Sequence, residues 1–560
     1  PPTAENVVIN GTTIIGEQVT GSYTYSDPQG YNEKDSKFCW MICDTADGTF
    51  EPIALQTGQQ LLLTQAYVNK YICFAVTPVS QVGKEGTKVM SAPVLVTTDI
   101  VLEEGALFVD PENGNDSNPG TQEQPFQTLE KARDFVRTIN GNMTKDIIIY
   151  LRGGTYDMTQ NTTSREEPLY GLHSSGNANG FHGEQWGTYT VKMGLQMTEQ
   201  DGGSNGYKVI YRAYPSETPI ISGGQDLSGR WTLHDASKNI YKISVPAGVD
   251  FRQLYINGER AIRARSDGRP AGFTLNNGVQ TSTDTSIASW KNQSEVEFVY
   301  ICNWASHRMR VQSITSDGSK VTFHMQKPGY DFIMNTGTPT YNDIRKCCYI
   351  ENAYELLDSE REWYLDKSTN TLYYKPGEGE NMSSATATIP LIDELLSIKG
   401  QSTSNRVENL EFDGLSFRYS TWLRPNTPNG YHANQAGYIR EESKMREAAV
   451  NVETVRNVNF VNCEFTGLGA GGLFYKQNIQ DVNVIGNKFH EISGNGLIVA
   501  DPGKGYGQNG GESTNKNIHI ENNYLINMAT EYYSSCAIVV GYVQDSTINH
   551  NEIVNSPYTA

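Results

Sequence analysis

Three acidic side chains near the end of this 560-residue chain, Asp501, Glu531 and Asp545, stand where loops interrupt a regular pattern or where that pattern turns. Paired carboxyl groups can cleave a glycosidic bond, one protonating the leaving oxygen while the other acts as base or nucleophile. Asp501 follows the apolar run Gly496-Leu-Ile-Val-Ala500 and opens an expanded loop that reaches Glu512. Glu531 precedes Tyr532 and Tyr533, two rings that can stack on a sugar face. His490 and Glu491 occupy the equivalent loop one repeat earlier and can support the same site. Asp545 falls where the pattern places an ordinary turn residue. Upstream, Trp422, Arg424, Tyr431 and His432 form a polar-aromatic loop suited to sugar faces and hydroxyls. The competing reading of that loop is local packing, and of each acidic residue a solvated turn.

These residues are carried by a repeat. Asn457-Val-Asn-Phe-Val-Asn-Cys-Glu-Phe465 recurs as Asp481-Val-Asn-Val-Ile-Gly-Asn-Lys-Phe489, Asn517-Ile-His-Ile-Glu-Asn-Asn-Tyr-Leu525 and Asp545-Ser-Thr-Ile-Asn-His-Asn-Glu-Ile553. A fainter copy runs Asn409-Leu-Glu-Phe-Asp-Gly-Leu-Ser-Phe417. Starts are spaced by 24, 36 and 28 residues, and 48 separate the faint copy from the first. Three short strands per two dozen residues, with no helical periodicity, predict a coil of a right-handed parallel β-helix. Phe412, Phe460, Val484, Ile520 and Ile548 are expected to form one stacked column. Phe417, Phe465, Phe489, Leu525 and Ile553 form a second. Asn487, Asn523 and Asn551 share a turn position, with Cys463 in their place on the first coil, and can bond from coil to coil. The lengthened spacings locate the loops around Asp501 and Glu531, and additions to a solenoid gather on its functional face.

Composition narrows the classes. Gly, Asn, Thr and 32 tyrosines suit turn-dense β structure, and the net charge is −19. Such acidity argues against nucleic acid and anionic lipid as partners, and weighs against a polyanionic substrate unless a local basic groove exists. No stretch approaches the roughly 20 apolar residues of a membrane-spanning helix. The eight cysteines form neither a disulfide framework nor a C-x-x-C zinc pair, and leave the redox compartment open. Asp110, Glu112, Asn115 and Asp116 crowd oxygen ligands into one loop that could hold calcium, although Asx-rich turns look the same without metal. No other cofactor motif is legible, and protein partners are unspecified. The chain opens at Pro1 and stops partway through a coil at Ala560, so it is read as processed or trimmed and expected to continue.

Along the chain, residues 1–98 predict an Ig-like β-sandwich with Trp40 as its buried tryptophan and Tyr71-Ile-Cys73 at its tyrosine corner. It lacks the usual inter-sheet cysteine pair and reads as a spacer more than as a glycan-binding module. An acidic linker follows at 98–104. Residues 105–225 hold an N-terminal cap, with a helix over Leu129, Ala132, Phe135 and Val136 capped by Thr128, and the first coils. The coil pattern is legible from Tyr207, is interrupted by a β-rich insertion over 226–400 that includes a hairpin at 363–374, and resumes over 401–560.

The phrases Phe108-Val-Asp-Pro-Glu-Asn-Gly-Asn-Asp116, Pro125-Phe-Gln-Thr-Leu-Glu-Lys-Ala-Arg-Asp134 and Arg152-Gly-Gly-Thr-Tyr156 resemble bacterial extracellular β-helix proteins that process glycans. Trp422-Leu-Arg-Pro425, Ile492-Ser-Gly-Asn-Gly496 and Gly541-Tyr-Val-Gln-Asp545 extend the likeness, which is greatest to glycoside hydrolase family 141. That family includes α-L-fucosidase and xylanase activities. The resemblance implies a secreted or cell-surface hydrolase of an oligo- or polysaccharide, with fucosyl and xylosyl linkages as candidates; from the residues themselves no cofactor is expected. It also implies an acidic residue at the strand end occupied by Asp501 and an aspartate near Asp545, with Glu531 the rival partner. Two other classes remain open. A polysaccharide lyase acting on a uronate needs a cation or Lys/Arg cluster, and only Lys476 and Lys488 stand out on the terminal coils. A non-catalytic glycan-binding adhesin needs none of the acids.

Overall fold

A computed structural model describes residues 1–54, 56–97, 102–161, 163–170, 185–335, 347–439, 444–502 and 513–559. The linker expected at 98–104 therefore lies partly outside the described residues, as does 503–512 of the loop after Asp501. The chain divides into two compact units, Pro1–Ala106 with Tyr214–Glu217, and Leu107–Ala213 with Thr218–Ala560.

The first unit is a sandwich. A sheet of Thr3–Asn10, Gln18–Ser26 and Gln60–Leu62 faces a five-stranded sheet built on Lys37–Cys43 and Tyr71–Thr77. Val19, Trp40, Leu61, Ile72 and Phe74 fill its core. The Trp40 indole N–H donates to the Gly58 carbonyl at 3.0 Å, which satisfies the one polar atom of that ring. Cys39, Cys43 and Cys73 are free thiols.

The second unit is a right-handed parallel β-helix of three sheets, with a β-rich insertion. The first sheet has eight strands, from Leu107–Val109 through Val455–Val461 to Thr547–Asn549. The second runs from Gly154–Asp157 to Glu552–Val554, and the third from Ser164–Tyr170 to Ile538–Val540, with seven strands each. The coils thus begin at Leu107, a hundred residues before the repeat becomes legible at Tyr207. The early strands Ile147–Leu151 and Val209–Ala213 are short apolar runs whose connecting turns carry none of the Asn-rich phrasing.

The expected columns form. Phe412 stacks on Phe460 at 4.9 Å, Phe417 on Phe465 at 5.1 Å, and Phe465 on Phe489 at 4.6 Å. Phe489 then pairs with Leu525, and Leu525 with Ile553. The asparagine ladder is continuous: Asn487 Nδ2 donates to Asn523 Oδ1 and Asn523 Nδ2 to Asn551 Oδ1, both at 2.9 Å. Cys463 N donates to Asn487 Oδ1 at 2.9 Å, so the ladder begins where the cysteine replaces asparagine. The first residue of each copy has a physical reason to be Asn or Asp. Asn409, Asn457, Asp481, Asn517 and Asp545 all hold left-handed backbone, φ 47–55°, which these side chains tolerate better than others do.

The helix Leu129–Val136 buries Leu129, Ala132 and Val136 in the solenoid core, and the Thr128 side chain accepts from Lys131 N. It closes an end that would otherwise expose unpaired strand edges. In the adjoining loop Asp110 accepts from the backbone N–H groups of Glu112 and Asn113, and Asp116 from those of Gln127 and Thr128. Among the described residues no cluster of three His, Cys, Asp or Glu could hold a metal ion.

After Pro219–Ser222 the chain leaves the solenoid and returns with Glu394–Lys399, already a strand of the third sheet. Between them lie antiparallel sheets, including the hairpin Glu362–Asp366 with Thr371–Tyr374 and six strands of a seven-stranded sheet, among them Glu297–Ile301, Ser306–Ser316 and Cys347–Glu351. A separate strand from the coil region, Tyr431–Ala433, pairs with Ser306–Ser316 and so ties the insertion to the solenoid.

Candidate active site

The turn between Tyr524–Ile526 of the second sheet and Ile538–Val540 of the third is the expanded one that carries Glu531. Its backbone is pinned to the coil below, since the N–H groups of Glu531 and Tyr532 donate to Ser493 O at 3.1 and 2.9 Å. Here the insertion docks. Ser306 and Ser534 hydroxyls meet at 3.1 Å, Tyr349 and Tyr533 hydroxyls at 3.0 Å, and Arg308 donates to the Glu531 carbonyl through Nε and Nη2 at 3.2 and 3.1 Å.

A pocket of about 170 Å³ remains at this junction. Its volume suits a single sugar ring rather than a long polymer segment. Arg252, Arg260, Arg263, Arg265, Arg308, Tyr349 and Glu351 line it from the insertion, and Glu491, Thr530, Glu531 and Tyr533 from the coils. Beneath it lies a buried ionic network. Arg252 holds Glu297 with two parallel bonds at 2.9 Å, a bidentate geometry that only a guanidinium supplies. Arg308 Nη1 bridges Glu297 at 2.9 Å and Glu351 at 2.7 Å, and Arg263 reaches Glu351 at 3.0 Å. Burial would push the Glu297 carboxyl up, but Arg252 and Arg263 outweigh it and hold the group well below the usual carboxylate range.

Glu531 sits at the edge of this network. Its Oε1 accepts from Gln253 Nε2 and from Arg260 Nη1, both at 2.9 Å, and Thr421 in turn orients Gln253. Arg260 also donates to Glu491 O at 2.9 Å and Ser493 Oγ at 3.1 Å, so one guanidinium joins two coils to the insertion. No described residue bonds to Glu531 Oε2. A carboxylate oriented through one oxygen, with the other available to a pocket, has the geometry of a general base or nucleophile. Glu351 and Glu491 are the other carboxylates lining the same space.

Of the residues singled out in the sequence, the pocket brings together Glu491, Glu531 and Tyr533. Asp501 and Asp545 are not among its lining residues. Asp501 lies at the far end of the third sheet, just past Leu497–Val499, 5% exposed, and its carboxylate accepts from Met445 N at 3.3 Å. Asp545 is exposed and occupies the left-handed position of the repeat. His490 lies on the second sheet between Thr466 Oγ1 at 3.2 Å and Glu464 Oε1 at 2.9 Å; its hydrogen bond leads the effects that hold the Glu464 carboxyl far below the ordinary range. Trp422, Arg424, His432 and Tyr532 are all buried. Trp422 and Tyr532 meet edge to face at 5.3 Å around Arg446, whose guanidinium lies 4.8 Å from the Tyr532 ring centre. His432 packs on Phe332 at 4.7 Å, and Arg424 donates to Gly430 O at 2.9 Å.

Sequence reasoning missed the insertion's share: Glu297, Glu351 and the arginines. One signal was present. Arg260, Arg263 and Arg265 fall within six residues in a chain of net charge −19, which marks a local basic feature in an acidic protein.

Residues 239–377 match the family model of the GH141 insertion domain. That span contains Arg260, Glu297, Arg308 and Glu351. Among solved structures, the chain is similar to one titled "Glycoside hydrolase", with 24% identity and a TM-score of 0.64 over 81% of this chain and 78% of that one, a likeness of fold. A structure of XylC with xylose aligns at 10% identity and a TM-score of 0.38, over 80% of this chain and 58% of that chain. A family 28 exopolygalacturonase from Yersinia enterocolitica aligns at 8% identity and a TM-score of 0.28, over 98% and 80%. No curated sequence matches the chain.

Proposed function

We propose that this chain is a glycoside hydrolase of the family 141 type, exported by a bacterium, that cleaves a glycosidic bond at the junction between solenoid and insertion. The observation that carries the reading is Glu531, fixed through Oε1 by Arg260 and Gln253 at 2.9 Å, beside two further carboxylates in a ring-sized pocket. Glu531 is the base or nucleophile, and Glu491 the acid that protonates the departing oxygen, since Glu351 is committed to ion pairs with Arg308 and Arg263. The insertion-domain match supports placing the chemistry here, because that domain supplies Glu351 and the arginines. Fucosyl and xylosyl linkages are the first to try. Among the described residues no helix is long and apolar enough to cross a membrane.

A polysaccharide lyase is the second reading, and the arginines favour it, since they could neutralise a uronate carboxylate. A lyase would draw on the same Glu531 as its base, so the products and not the site decide between the two readings. Lys476 and Lys488 are paired with Glu447 and Glu464, at 2.5 and 3.5 Å. Burial pushes the Tyr349 hydroxyl well above its ordinary value, which makes it a poor proton acceptor. Digestion of a glycan panel with product analysis separates the readings. Saturated reducing sugars are expected; unsaturated, ultraviolet-absorbing products would select the lyase, and no release would select an adhesin.

A further inference from the structure

We infer that the pocket takes a sugar ring bearing one negative charge, a carboxylate or a sulfate ester, and that Arg265 is the residue that reads it. The inference deepens the hydrolase reading and rests on it for the identity of the site; fucosyl and xylosyl groups are neutral, so the charged ring is the partner to which such a group is linked. Four of the five guanidinium groups lining the pocket are already committed: Arg252 and Arg308 to Glu297, Arg263 to Glu351, and Arg260 to Glu531. Arg265 lines the same space, half-buried, and has no carboxylate within ion-pair distance among the described residues. Its guanidinium lies over the Tyr349 ring, 5.1 Å from the centre, a contact that fixes its plane, while the Glu351 carboxylate acts on it only from beyond ion-pair distance. The Tyr349 ring is itself tied through its hydroxyl to Tyr533 at 3.0 Å, so the arginine rests on a braced wall.

Desolvation works against the Arg265 charge while Tyr349, Tyr533 and Glu351 sustain it, and an arriving anion would add the direct ion pair that no described carboxylate makes. The planar fork of donors matches a carboxylate or sulfate face bidentately, whereas a neutral hexose offers only hydroxyls. In a chain of net charge −19, the five guanidinium groups set against the Glu297, Glu351, Glu491 and Glu531 carboxylates leave this pocket with one positive charge in excess.

The test is calorimetric titration of the full chain with D-galacturonate, D-glucuronate, D-galactose 6-sulfate, neutral D-galactose and the methyl ester of D-galacturonic acid. At least one anionic probe should bind about 10- to 100-fold more tightly than galactose, as expected for a charged hydrogen bond gained. The methyl ester should bind like galactose, which tests the charge without altering the protein. Arg265→Met should reduce the preferred anion to the galactose level. Preference for the acids assigns a carboxylate, and preference for the 6-sulfate assigns a sulfate ester. Equal binding of anions and galactose, retained preference in Arg265→Met, or no binding of any anion overturns the inference. If Glu531→Gln is inactive while the anions show no preference, the hydrolase reading stands and this inference falls. If anions bind through Arg265 while Glu531→Gln keeps full turnover, the reverse holds.

Discussion

At the scale of single residues, the decisive comparison is Glu531→Gln against Asp501→Asn. Each replacement keeps shape and removes the ionisable group. Glu531→Gln should lower turnover by at least ~100-fold with folding and substrate binding retained, the loss expected for a general acid, base or nucleophile. Asp501→Asn should lower the unfolding temperature, since its carboxylate accepts from the N–H of Met445, a residue packed on Phe474 and Ile498 of the third sheet. Equal turnover in Glu531→Gln and wild type would remove the pocket from consideration, and a dead but stable Asp501→Asn would move the chemistry to the other end of that sheet. Asp393 gives a test by pH. It is buried, and desolvation raises its carboxyl from 3.8 to about 7 against the opposing bonds from Lys192 N and Leu423 N. A carboxyl raised on folding stabilises fully below its unfolded value and loses that contribution as pH rises through the folded one. Relative to Asp393→Asn, the wild type should therefore lose stability between about pH 4 and 7, by on the order of 4 kcal/mol, and be flat above. Parallel Tm–pH curves for the two proteins would show that Asp393 ionises normally. Residue roles were only half legible in the sequence. Glu491, Glu531 and Tyr533 stand beside a lengthened coil, which a repeat count reveals. Glu351 reaches the same pocket through antiparallel pairing inside the insertion, and no local pattern announces that convergence. Trp422 and His432 show the converse limit, because an aromatic-polar loop has the same composition whether it faces a sugar or packs beneath a domain.

At the scale of elements, the coils were legible because each must repeat the last. Stacked Phe465 and Phe489, and an amide passed from Asn487 to Asn523, can be read from spacing alone. The insertion was not, since its strands pair at distances set by loops of no fixed length. Asn523→Ala tests the ladder. It would strand the Val484 carbonyl, now 2.8 Å from Nδ2, and two donors of Asn487 that share Oδ1. A destabilisation of about 1–3 kcal/mol is expected in chemical denaturation; an unchanged midpoint would mean that water replaces the amide without cost. Glu297→Gln tests the buried network under the pocket. Arg252 and Arg308 would lose their shared counter-charge, so a loss of about 3–5 kcal/mol is expected. A stability within error of wild type would show that Glu351 alone neutralises the cluster.

At the scale of the molecule, two compact units and one pocket divide the labour unevenly. Every residue lining the pocket belongs to the second unit. A chain starting at residue 102 should therefore hydrolyse a small soluble substrate at the wild-type rate, measured by product release; a loss of more than about tenfold would give the sandwich a part in the reaction. The pocket itself straddles two bodies of structure that meet through one strand pairing and a set of side-chain contacts, among them Arg308 to the Glu531 carbonyl and the Ser306–Ser534 and Tyr349–Tyr533 hydroxyl pairs. Coil-to-coil stacking is far more extensive than this seam. Catalysis thus doubles as a reporter of whether the seam is closed. As denaturant rises, turnover should vanish while the β-sheet signal of the solenoid is still intact, and return as promptly when the denaturant is diluted away.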